Sequence, residues 1–121
     1  MAYDITYNLA LFSTQELVKP VTRRKPIAGY LVLKNDMSWE DFYAQLKTKI
    51  CDSLFPGQAV VNDNAYRMMF SVPRHVTNPI NLVSAADYAH LLTNASKIKT
   101  NPSVKVIVES HAQNLVRIQL Y

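Results

Sequence analysis

The 121-residue chain encodes an α+β fold, and three observations predict it. Apolar residues recur at every second position in Tyr3–Leu11, Ile27–Leu33, Tyr66–Val72 and Val104–Glu109, the period of β-strands. Two further stretches carry apolar residues at helical spacing, and each opens on the same phrase. Met37-Ser38-Trp39-Glu40-Asp41-Phe42 and Val83-Ser84-Ala85-Ala86-Asp87-Tyr88 both read apolar residue, Ser, two residues, Asp, aromatic. Finally, the strands come in runs broken by helices, which indicates α+β rather than a doubly wound α/β sheet.

Element by element, Tyr3, Ile5, Tyr7, Leu9 and Leu11 alternate with Asp4, Thr6, Asn8 and Ala10 as a half-buried first strand. Ser13–Pro26 is polar, contains two prolines and ends in Arg23-Arg24-Lys25, so it is expected to be a long connection. A second strand at Ile27–Leu33 puts Ile27, Leu31 and Leu33 on one face, and Lys34-Asn35-Asp36 stops it. In the first helix the Ser38 hydroxyl accepts from a first-turn amide. Asp41 is expected to reach back to the Ser38 amide and to complement the helix dipole, while Met37 staples against Phe42. Trp39, Phe42, Tyr43, Leu46, Ile50 and Leu54 form its apolar stripe, and Pro56-Gly57 ends it. Asn62-Asp63-Asn64 adds a turn before a third strand, in which Tyr66, Met68, Phe70 and Val72 alternate with Arg67, Met69 and Ser71. Pro73 and Asn78-Pro79 bracket a loop, and Ile80-Asn81-Leu82 is a brief strand or an extended approach. The second helix repeats the cap at Ser84, the Asp at Asp87 and the staple of Val83 on Tyr88, with Leu91, Leu92, Ala95 and Ile98 along its stripe. After Asn101-Pro102, Val104, Val106 and Val108 alternate with Lys105, Ile107 and Glu109, apolar on both faces as in an internal strand. Val116, Ile118 and Leu120 suggest an extra strand at Leu115–Tyr121, joined through the loop His111–Asn114 as a hairpin onto Val104–Glu109. The expected order is β-β-α-β-α-β-β: two helices on a mixed sheet of four to five strands, in a single domain spanning 1–121 with its core at 3–110.

Composition narrows the function classes. Half the residues are apolar or nearly so and only two are glycine, which suits a packed domain. One cysteine, Cys51, allows no internal disulfide, no apolar stretch nears membrane-spanning length, and the N-terminus lacks a basic leader. An intracellular protein, in cytoplasm or nucleus and with no membrane partner, is expected. The two glycines, Gly29 and Gly57, form no phosphate-binding loop. His75, His90 and His111 lack the spacing of a metal site. Cys51 falls beside a helical core stripe, where an inert thiol is far commoner than a nucleophile. Met68 and Trp39 belong to core stripes before they belong to any binding groove. No cofactor and no catalytic residue is therefore expected, and the chain is not read as an enzyme. Thirteen Lys and Arg face nine acids, for a net charge of +4, and Arg23-Arg24-Lys25 is the one basic cluster.

The strand and helix order from Tyr3 to Ser110 resembles the ubiquitin-like β-grasp, with the C-terminal strand an addition. Within it, Arg24-Lys25-Pro26-Ile27-Ala28-Gly29-Tyr30, Trp39-Glu40-Asp41-Phe42, Tyr66-Arg67-Met68 and Ala86-Asp87-Tyr88 resemble small β-grasp domains of fungal transposon-associated proteins. The layout is also similar to the Phox-and-Bem interaction domains, which pair a basic front face with an acidic turn of a partner. Pro73–Asp87 contains only Asp87 as an acid, so the resemblance implies the basic-only type, which binds an acidic protein partner and does not polymerise head to tail. Arg23, Arg24, Lys25 and Lys34 are the expected contact residues. A nucleic-acid-binding accessory role through the same cations is the alternative. The C-terminal Gln119-Leu120-Tyr121 carries no Gly-Gly, so a conjugated modifier is not expected. A monomer is favoured, its last strand covering a sheet edge.

Overall fold

The computed structural model describes residues 2–57, 61 and 65–110. Its elements are β1 (Asp4–Phe12), α1 (Thr14–Leu17), a 3-10 turn (Val21–Arg23), β2 (Ile27–Lys34), α2 (Trp39–Leu54), β3 (Tyr66–Val72), β4 (Val76–Asn81), α3 (Ala85–Ala95) and β5 (Ser103–Ser110). The strands form one mixed sheet in the order β2-β1-β5-β3-β4. β1 and β5 are parallel at its centre, and the other neighbouring pairs are antiparallel. The fold is α+β.

Alternation decides which face is buried. Ile5, Tyr7, Leu9 and Leu11 of β1, Met68, Phe70 and Val72 of β3, and Val104, Val106 and Val108 of β5 share a core with Phe42, Leu46 and Ile50 of α2 and Tyr88 and Leu91 of α3. Aromatic contacts tie the two long helices together: Phe42 stacks on Tyr88 at 4.4 Å and meets Tyr7 at 5.1 Å. Tyr88 Oη also donates to the Met37 carbonyl at 3.0 Å. Trp39 covers this cluster, stacked on Tyr43 at 5.4 Å, so it is a half-buried lid, and Met68 is core. The Tyr7 hydroxyl has no hydrogen-bond partner among the described residues, and burial pushes its pKa well up, so it stays neutral.

Both repeated Ser phrases cap helices. Asp41 N–H donates to Ser38 Oγ at 3.1 Å, and Asp87 N–H donates to Ser84 Oγ at 3.3 Å. The staple expected at the second cap is absent: Val83 is 68% exposed and Leu82 is buried in its place. Asp87 explains the turn of the chain. Its carboxylate accepts from the Val83 amide at 2.9 Å and the Ser84 hydroxyl at 3.3 Å, instead of from the Ser84 amide.

Three features differ from the sequence expectation. Val76–Asn81 is a strand rather than mainly a loop, placing β4 before α3 and changing the expected order. Pro79 is tolerated because β4 is an edge strand, paired among the described residues only with β3 and through a bulged register. The tight turn that permits this has Arg74 at φ 69° and a His75 N–H to Val72 carbonyl bond of 3.1 Å. The connection Ser13–Pro26 holds a third, short helix, capped by Ser13. Lastly, β5 has β1 on one side and β3 on the other, so the hairpin of Leu115–Tyr121 onto Val104–Glu109 has no free edge to join. Leu115–Tyr121, the loop His111–Asn114 and the turn Asn62-Asp63-Asn64 themselves lie outside the described residues.

Candidate functional site

Residues 13–26 fold into a basic lobe at the end of the sheet where β1 and β5 finish and β2 starts. Ser13 begins α1 by accepting from Glu16 N–H at 3.3 Å, and Thr14 Oγ1 donates to Ser110 Oγ at 3.2 Å, pinning the lobe to β5. With two prolines and no strand alternation, the segment is organised by its charged side chains. Glu16 is the hub. Its Oε2 accepts from Lys19 Nζ at 2.8 Å and its Oε1 from Lys25 N–H at 2.9 Å. The Lys19 bond first, and then the Lys25 amide, hold the Glu16 carboxyl below its ordinary range.

Arg24 is the second organiser. Its Nη2 donates to the Leu17 carbonyl at 2.8 Å and its Nε to the Lys19 carbonyl at 3.0 Å, satisfying acceptors at the end of a one-turn helix. Its charge stays in the lobe, but two of its donors are committed internally. Arg23 and Lys25 are exposed, and their charged groups make no hydrogen bond or ion pair with a described residue.

Lys19, Pro20, Thr22, Arg23, Arg24 and Lys25 line an open concavity of about 600 Å³. Val18 and Val21, 79% and 75% exposed, lie in the same lobe. Four cations beside one carboxylate give the surface a positive potential, and exposed valines offer apolar contact beside it.

The four residues expected from sequence do not come together. Arg23, Arg24 and Lys25 line one concavity, whereas Lys34 ends β2 roughly 23 Å away at the rise of a strand. There Lys34 Nζ pairs with Asp4 at 2.9 Å, a bond that raises its pKa. Lys34 is therefore not part of the lobe. Lys19 is a lobe residue that sequence reasoning passed over. Its only signal was the Glu16–Lys19 spacing of one helical turn, which is weak without knowing that a helix forms.

Elsewhere, Arg67 pairs with Glu109 directly across β3 and β5 at 2.7 Å, so this cation has a structural partner. Cys51 is half-buried against the core. Among the described residues no group of three or more His, Cys, Asp or Glu is placed to hold a metal ion, and no helix is long and apolar enough to cross a membrane. No protein-family model and no curated protein matches the chain.

Proposed function

We propose that this chain is a non-catalytic protein-interaction domain of ubiquitin-like β-grasp fold, binding an acidic protein partner through its basic lobe. The β-grasp reading is supported by the strand order β2-β1-β5-β3-β4, with a parallel central pair and the two long helices packed into one core. The functional reading rests on one observation. The lobe sets the charged groups of Arg23 and Lys25, which have no partner among the described residues, beside Lys19 and Arg24 on a single concavity, while one carboxylate, Glu16, holds the backbone in place. A carboxylate-bearing segment fits that arrangement, its acids meeting the free cations and its apolar residues meeting Val18 and Val21.

The test is titration of the chain with polyglutamate and, separately, with a nonspecific DNA duplex, following anisotropy over a range of salt. Polyglutamate binding that drops about tenfold in the Arg23→Ala/Lys25→Ala variant is expected, since uncommitted charges act on association rather than folding. Duplex binding tighter than polyglutamate binding, with a steep salt slope, would assign the lobe to nucleic acid instead.

A further inference from the structure

Among the described residues the sheet has two edges, β2 and β4, and they are not equally protected. β4 carries Pro79 and a bulge in its pairing with β3, both of which discourage a further strand. β2 pairs with β1 in an unbroken register from Ile27 to Lys34 and has neither device. Asn35 N–H donates to the Tyr3 carbonyl at 3.0 Å, which fixes the phase of this antiparallel pair. The two-residue alternation then turns Ile27, Gly29, Leu31 and Leu33 towards β1. The amides and carbonyls of Ala28, Tyr30, Val32 and Lys34 face the edge that no described strand occupies. The side chains of those four residues are exposed, Tyr30 at 65% and Val32 at 49%.

The ends of β2 differ in charge. Arg23 and Lys25 precede it, and Asp36 follows it, exposed and without a hydrogen bond or ion pair to a described residue. An antiparallel two-fold pairing of β2 with itself brings each basic end beside the acidic end of the other copy. With the axis at Leu31, every outward-facing residue is used. Tyr30 lies opposite Val32 of the second copy and Ala28 opposite its Lys34, and the Lys25-Pro26 segment before the strand comes towards the Asn35-Asp36 turn that follows it in the second copy. An aromatic residue facing a β-branched one is a favourable cross-strand pair, and no like charges oppose.

We infer that the free edge of β2 pairs antiparallel with β2 of a second copy about a two-fold axis at Leu31, joining two sheets into one. The monomer expected from sequence relied on Leu115–Tyr121 covering an edge from a hairpin on β5, and β5 has none to give.

The experiment is sedimentation velocity over a concentration series on the full chain and on Val32→Pro, Val32→Lys, Asp36→Lys and Lys25→Asp/Asp36→Lys, with circular dichroism on each. The Val32 amide faces outward, so Pro there removes a donor from the free edge but none from the β1 ladder. Val32→Lys tests the same edge without constraining the backbone. A wild-type dimer weakened at least about tenfold by either Val32 variant is expected, as each copy loses an inter-strand contact. Asp36→Lys should weaken it as well, and Lys25→Asp/Asp36→Lys should restore it. A wild-type chain that stays monomeric at the highest concentration would overturn the inference, as would a dimer that folded Val32 variants leave intact. A chain ending at Asn114 should still dimerise; loss of the dimer on that truncation would name Leu115–Tyr121 as the occupant and overturn the inference.

Discussion

Arg24 shows how far a charge differs from its use. Alanine replacement at Arg23, an exposed cation with no side-chain partner among the described residues, should leave stability unchanged within about 0.5 kcal/mol. The same replacement at Arg24 removes two hydrogen bonds to the Leu17 and Lys19 carbonyls and should cost about 1 kcal/mol or more, seen as a lower denaturant midpoint or as faster amide exchange confined to the lobe. Equal behaviour of the two variants in both measurements would show that the Arg24 bonds contribute nothing. Glu16 gives a pH-dependent counterpart. Its pKa is lowered in the fold, so its contribution to lobe stability is present above its ordinary value of 4.5 and is lost as pH falls through the lower, folded value. The Lys25 amide, which donates to Glu16 Oε1, reports this directly. Its proton shift should titrate with a midpoint below 4.5, and Glu16→Gln should abolish that step. A midpoint at or above 4.5 would mean that the carboxylate does not hold the lobe.

At the level of elements, the two Ser caps were legible because their partners are local. An N-cap needs only the residue three positions on, and both bonds form where the repeated phrase places them. Ser38→Ala and Ser84→Ala should each lower stability by about 1 kcal/mol, measured by denaturant unfolding. The Ser84 substitution also removes a donor to Asp87, although the Val83 amide still holds that carboxylate. Midpoints unchanged in both variants would place the helix starts elsewhere. The staple at Val83 was misjudged because the Asp87–Val83 bond redirects the chain, and a phrase in sequence does not reveal which amide a carboxylate selects. β4 was only partly legible for a different reason. An edge strand with both faces largely exposed needs no apolar alternation, so Val76-Thr77-Asn78-Pro79 carried none.

Across the whole molecule, the α+β class and the central position of Val104–Glu109 could be read from alternation on both faces of that segment, which only an internal strand requires. Pairings across the sheet were not legible. Lys34 stands beside Asp4 because the β1–β2 register puts it there. Lys19 was hidden by the lobe, whose shape comes from Glu16 and Arg24 folding back on a polar segment with no periodic pattern. The concavity that results is the basis of the proposed function, and it can be mapped without a natural partner. Backbone amide shifts recorded while polyglutamate is added at low salt should change most over residues 19–25 and little at Lys97, Lys99 and Lys105, cations elsewhere on the surface. The Arg23→Ala/Lys25→Ala variant should lose most of that response while remaining folded. Shifts of equal size at all these lysines, or a response unchanged in the variant, would contradict a binding site in the lobe.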